Sequence, residues 1–238
     1  MRSRRSSAPR LIVRTFSEVC LTVGTLIVLF VAYLLLWTGV RAEQSMTAEL
    51  ERLRDRWPTG PAAAPGTARR APSEPPPGGE AYPPGRPFAE MHIPRFGTHW
   101  TKPVLQGTGA DVLKRGLGHY PGSGQLGVEG NFAVAGHRRT HGDPFKDFPR
   151  LRPGDAVVLN DGVTWFTYRV ANRPLRITPQ EVDVLDPVPA KSGFRAPGKY
   201  LTLTTCEPEW GHSHRLVVWA RLTAADPVTA GRPSVLRS

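Results

Sequence analysis

Three hydrophobic patterns follow one another along the chain, and each predicts a different kind of element. From Val19 to Val40, 22 consecutive residues carry no charge. As a helix at about 1.5 Å per residue they span roughly 33 Å, enough for a hydrocarbon core of about 30 Å. One membrane-spanning helix over 19–40 is expected, retained rather than cleaved, because the run is longer than the apolar region of a signal peptide and ends near Trp37. Residues 41–56 then place Met46, Leu50 and Leu53 at helical spacing, with Trp57 continuing the stripe, which predicts a juxtamembrane helix. From Phe88 onward, short apolar runs alternate with Gly, Pro, Asp and Asn at intervals of about ten residues, the rhythm of an all-β barrel or sandwich.

The predicted strands are "AEMHIP", "TKPVLQG", "NFAVAGH", "DAVVLND", "TWFTYRVAN", "KYLTLTTC" and "RLVVWARL", with short helices at "GADVLKR" and "PFKDFPRL". Within "KYLTLTTC", period-two alternation puts Tyr200, Thr202, Thr204 and Cys206 on one face and Leu201, Leu203 and Thr205 on the other. Residues 57–87 hold ten prolines and five glycines, too little apolar surface to fold, and read as an extended linker or stalk. A folded domain is expected over 88–224, with a frayed tail over 225–238.

Charge changes the picture at two places. Five arginines lie within residues 1–18 against Glu18 alone, a basic tip that the positive-inside rule assigns to the cytoplasm, so that everything after residue 40 lies outside the cell. Residues 91–238 carry 19 Lys and Arg against 12 acids, which favours anionic head groups and wall polymers as surroundings. Nucleic acid is excluded by that topology and by the lack of a zinc finger, an RRM signature or a basic stripe with interleaved aromatics.

Two cysteines are present, Cys20 inside the membrane helix and Cys206 outside it, so the topology forbids a bond between them. Pairing "KYLTLTTC" with "RLVVWARL" across "EPEWGHSH" makes a hairpin that brings Cys206 and Arg215 to the same end of the sheet. There a guanidinium lowers a thiol pKa and donates to an oxyanion. The plainer readings are an inert buried thiol and a surface Arg215 paired with Glu207 or Glu209. Among the seven histidines, His212 and His214 are near in sequence but lie in the loop, whereas His137 ends the run "NFAVAG". His137 and His141 as metal ligands lack evident third and fourth partners. No metal or cofactor is expected.

"TLTTC" at 202–206, Arg215 after it and the histidine of "GNFAVAGHR" 69 residues before it resemble the signature of the sortases, cysteine transpeptidases of Gram-positive cell surfaces. The resemblance runs through "IPRFG", "PVLQG", "HYPGSG" and "AGHRRTHGDPF" over roughly 88–222, and within the family it is to class E, the housekeeping type of high-GC actinobacteria. It implies an eight-stranded β-barrel, with Cys206 as nucleophile, His137 as general acid and base, and Arg215 as the group that holds substrate and steadies the oxyanion. Thr205 matches a position that contacts the sorting peptide, and Tyr120 of "HYPG" one associated with Ala rather than Pro in LAxTG. His141 stands where the family pattern has tyrosine, and the segment after Cys206 is acidic.

The reaction so implied cleaves an LAxTG or LPxTG sorting signal between Thr and Gly and joins the Thr carboxyl to an amine of the lipid-linked peptidoglycan precursor. The partners are surface proteins bearing that C-terminal signal. Reference pKa values of about 8.5 for a thiol and 6.5 for imidazole leave thiolate and imidazolium together in roughly one molecule per hundred at neutral pH. No aromatic lid motif of the pilin-polymerising type occurs in 41–90. Two rivals remain: a cysteine L,D-transpeptidase, whose SxGC motif is missing, and a wall-polymer-binding β-domain with an inert Cys206.

Overall fold

The computed structural model describes residues 8–57 and 82–237. Most of the expected stalk, and residues 1–7 of the basic tip, lie outside the described residues. Ala8–Arg54 form one helix, α1, of 47 residues, so the membrane helix and juxtamembrane helix expected from the sequence are continuous. The reason is local: no proline interrupts residues 10–57, and Gly39 alone is too weak a breaker to stop a helix already nucleated on both sides. Val13–Val31 is long and apolar enough to cross a membrane, and none of it is covered by the rest of the protein.

The lower end of α1 has a different surface. Ala42, Met46, Glu49 and Leu53 are buried, a stripe of helical period that packs on the first two strands of the outer domain. Charge fixes this seat at three points. Lys102 Nζ donates to Glu43 at 2.7 and 2.9 Å, Arg115 to Glu49 at 2.6 Å, and Arg54 grips one oxygen of Glu90 at 2.7 and 2.9 Å. Burial drives the Glu90 carboxyl upward, but hydrogen bonds from His92 and Arg54 outweigh it and hold Glu90 below its ordinary value.

Nine strands follow: β1 Pro87–His92, β2 Thr101–Gln106, β3 Leu117–His119, β4 Gly130–Ala135, β5 Ala156–Asn160, β6 Thr164–Val170, β7 Leu175–Ile177, β8 Lys199–Glu207 and β9 His214–Pro227. Their order is β6-β5-β1-β2-β3-β4-β8-β9, and β6 pairs back onto β9, so eight strands close a barrel and β7 is an annex on β9. The barrel is mixed: β2 with β3 and β4 with β8 are parallel. Of the two expected helices, "GADVLKR" supplies α2, Ala110–Leu113, while "PFKDFPRL" gives only a 3-10 turn at Phe148–Arg150.

Alternation decides which side chains fill the barrel. Leu201 and Leu203 of β8 point inward to Phe132, Val134, Leu159 and Val218, whereas Tyr200 and Trp219 point outward into a second cluster with Ile177, Val184 and Phe194. The segment between β6 and β8 therefore covers the outer face of β8 and β9, which is why these strands read as nearly continuous apolar runs. Asn131 ties that cover down through the Asp186 carbonyl at 2.9 Å and accepts from the Thr202 hydroxyl at 2.7 Å. The expected frayed tail is a correction: β9 continues to Pro227, and Val235 and Leu236 pack on Ala156, Val158 and Trp165.

Candidate active site

Strand register gathers two of the expected residues and leads to a third. On β9, Arg215 is the antiparallel partner of Cys206 on β8, as the hairpin reading required. On the other side β4 runs parallel to β8 with Ala135 beside Thr204, and Gly136 extends the pairing by donating to the Thr204 carbonyl at 3.1 Å. His137 is the next residue, at the end of the barrel where Cys206 lies. Cys206 and Arg215 thus form one row across β8 and β9, and His137, two residues past the end of β4, continues the alternating face of Ala133 and Ala135 toward the same rim of the barrel. Cys206 is half-buried there with a free thiol.

The hydroxyl of Thr205 donates to the Gly136 carbonyl at 2.8 Å. Thr205 is buried on the face opposite Cys206, so its side chain holds the residue before His137 against β8. Tyr120, just beyond β3, lies across the small Ala133 of β4, and its hydroxyl shares a 3.0 Å hydrogen bond with that of Thr204. Thr204 is two residues before Cys206 and faces the same way, which puts Tyr120 on the thiol's side of the sheet.

Arg215 does not serve Glu207 or Glu209. Glu207 pairs with Arg138 and Glu209 with Arg139 at 2.8 Å, while Nη1 of Arg215 donates at 2.9 Å to the carbonyls of His212 and His214. Those bonds orient the planar guanidinium and leave its Nε and Nη2 donors unused by them. His212 is exposed in the loop, and His214, expected in the loop, instead opens β9 opposite Glu207 with its Nδ1 3.0 Å from both Arg176 and Ser213, so neither is the partner of Cys206.

His137 has its own environment. Its ring stacks on that of His141, centroids 4.8 Å apart, and its carbonyl accepts from Phe145 at 2.9 Å. Burial pushes the His137 imidazole below its ordinary pKa, and the positive charges of His141 and Lys114 push the same way. The loop that holds His141 is tightly wound: His141, Gly142 and Asp143 have φ of 54°, 78° and 50°, a run that only glycine adopts without strain. A Cβ on Gly142 would come within 2.5 Å of Met46 Cε, so this loop rests directly on α1. Among the described residues no group of three or more His, Cys, Asp or Glu is gathered to hold a metal.

Sequence reasoning missed several neighbours of the row. Lys114, just past α2, reaches His137 only through space, and nothing in the sequence packs α2 on β3, where it comes near His137. Arg138 and Glu207 directly follow His137 and Cys206, and their pairing was legible only once the register of β4 on β8 was known. Trp210, exposed in the loop before β9, carries the Arg139 guanidinium 4.7 Å from its ring centre.

Comparison with known proteins agrees with this architecture. A family model described as the sortase domain matches residues 91–223. Sortase SrtE1 of Streptomyces coelicolor is 37% identical over the whole of this chain, which spans 64% of that relative's length. Sortase SrtE2 of the same organism is 30% identical over 94% of the chain and 88% of its own length. Among solved structures, sortase E from Streptomyces avermitilis is 62% identical with a TM-score of 0.63, covering 66% of this chain and 100% of that one. Sortase E1 of S. coelicolor, solved with a tripeptide in its active site, is 39% identical with a TM-score of 0.62, covering 65% and 99%. With the family model matched over more than half of its length and full-length identity of 37% to one such enzyme, the chain belongs to the sortase family, its likeness being to the class E enzymes of actinobacteria.

Proposed function

We propose that the chain is a membrane-anchored cysteine transpeptidase that cleaves an LAxTG or LPxTG sorting signal after threonine and passes the acyl group to a cell-wall precursor amine. The observation that supports this reading is the pairing of Cys206 with Arg215 on one side of β8, with β4, which leads directly to His137, paired on its other side. Cys206 as thiolate attacks the Thr–Gly carbonyl, and the Nε and Nη2 donors of Arg215 receive the developing oxyanion. His137 gives its proton to the departing glycine amine, leaving a thioester on Cys206. An incoming amine attacks that thioester, and His137 takes up the amine's proton as the thiolate leaves.

Thr205 acts as a positioning residue through Gly136, and Tyr120, on the thiol's face, borders the second position of the sorting signal. The arginine-rich residues 1–18 favour a cytoplasmic N-terminus and a barrel outside, where both surface proteins and the lipid-linked precursor are met. Full-length chain in detergent, offered LAxTG and LPxTG peptides with an added amine, is expected to give a product of the fragment ending in threonine joined to that amine, identified by mass. Recovery of intact peptides only, or a cut elsewhere, would refute the reading.

The depressed His137 pKa shrinks the thiolate–imidazolium fraction and sets the acid limb of kcat/KM below the ordinary histidine range. Removing a positive neighbour reverses both effects. Lys114→Gln is expected to move the acid limb to higher pH and to raise the plateau up to a few-fold, because protonated His137 is then less opposed. Raising ionic strength shifts the wild type in the same direction, since Lys114 is exposed and screened. A pH–rate series at two salt concentrations checks the sign.

A further inference from the structure

A cleft of about 610 Å³ opens on the barrel rim that carries Cys206. Its walls are the chain just past β1, just before β5 and just past β6, together with the first turns after β4 and at the end of β8. All of these lie at one end of the barrel, because the antiparallel pairings bring the end of β1, the start of β5 and the end of β6 to the rim where β8 ends. Arg95, Arg138, Arg150, Arg152 and Arg173 line it, against Glu207 alone.

Surface arginines are ordinary, so what matters is how these five are engaged. Arg95 is held by Asp155 at 2.6 and 2.9 Å, Arg150 leans on Asp147 at 3.5 Å, and Arg138 pairs with Glu207. No ion pair among the described residues engages the side chain of Arg152 or Arg173. Five guanidinium groups face three carboxylates, a surplus of two positive charges around one cavity. Arg138 lines this wall as the partner of Glu207, so the surplus falls on Arg152 and Arg173, which remain open to an anion in the cleft.

The position of the cleft says which molecule would bring that anion. Arg138 follows His137 and Glu207 follows Cys206, so their ion pair is a wall common to the cleft and the catalytic row. Alternation turns Glu207 and Leu216, both cleft residues, to the face opposite Cys206 and Tyr120. A sorting peptide lying along the thiol's face therefore leaves the cleft open to a second molecule that approaches the thioester from across the rim.

We propose that this cleft binds an anionic group, carboxylate or phosphate, of the amine acceptor and so positions its amine at the acyl-Cys206 carbon. The inference rests on the transpeptidase reading and deepens it by naming the acceptor as an anionic amine. Binding there lowers the KM of the acceptor and leaves attack on the sorting peptide untouched.

The test uses full-length chain in detergent with a sorting peptide and two matched pairs of amines, triglycine with triglycinamide and phosphoethanolamine with ethanolamine. The wild type is expected to show a KM about tenfold lower for the anionic member of at least one pair, and that pair identifies the anionic source as carboxylate or phosphate. Arg152→Gln combined with Arg173→Gln is expected to erase that advantage while peptide cleavage without amine stays within about twofold, and the corresponding lysine variant to restore part of it. Equal use of anionic and neutral amines by the wild type overturns the proposal, as does an equal loss for both in the glutamine variant or an unchanged KM for the anionic amine. Loss of peptide cleavage in the glutamine variant would make the cleft part of the sorting-peptide site and overturns it too. Absence of cleavage by the wild type removes the transpeptidase reading itself, and this inference with it.

Discussion

Cys206→Ala is expected to leave no cleavage of a sorting peptide, and His137→Ala to cut kcat/KM by about 10²–10⁴-fold. The two sizes differ for a physical reason. Without the sulfur no thioester forms, whereas without the imidazole the thiol still ionises and solvent protonates the leaving amine slowly. Because both residues serve one proton-and-acyl transfer, the double variant should be no worse than Cys206→Ala alone. Cys20→Ala is the internal control, since Cys20 lies on α1 within the span long and apolar enough to cross the membrane. A steady-state assay on the four variants, with a thiol reagent that labels Cys206 in the wild type, separates this from an inert cysteine in a wall-binding domain. Wild-type cleavage by either the Cys206 or the His137 variant would remove the role given to it.

Arg215→Ala is expected to lower kcat by about 10²–10³-fold with a much smaller change in KM, the signature of a donor used by the oxyanion more than by the bound carbonyl. Arg215→Lys should recover only part of this. An ammonium restores charge but cannot hold two backbone carbonyls of its own loop and still present further donors in a fixed plane. The split between kcat and KM discriminates against a merely structural Arg215, whose loss would loosen the loop before β9 and raise KM as well.

The hairpin of β8 and β9 was legible in the sequence because both strands alternate cleanly and the loop between them is short and polar. That was enough to set Cys206 opposite Arg215. The pairing of β4 with β8 was not legible, since parallel strands 69 residues apart leave no local signal; His137 stood out as the end of the run "NFAVAG", but its role beside Cys206 came only through the family resemblance. Two strands were missed, β3 and β7, because three residues are too few to show a period.

Elsewhere tertiary packing overrode local reading. The tail looked polar enough to fray, yet Val235 and Leu236 find an apolar patch that no nearby residue announces. The helix after the membrane span was anticipated from Met46 and Leu53, but not that Glu49 would be buried with them. That depends on Arg115, 66 residues away, as its partner. Thr205 shows the limit of carrying a motif by position alone: alternation had already turned its side chain away from the thiol, and the structure gives that hydroxyl to Gly136.

The most direct measurement is the mass of the full-length protein quenched in acid during turnover of a sorting peptide. The account predicts one added mass, equal to the peptide up to and including its threonine, and maps it to Cys206. Peptide turnover with the adduct on another residue, or with no adduct under conditions that preserve a thioester, would contradict it.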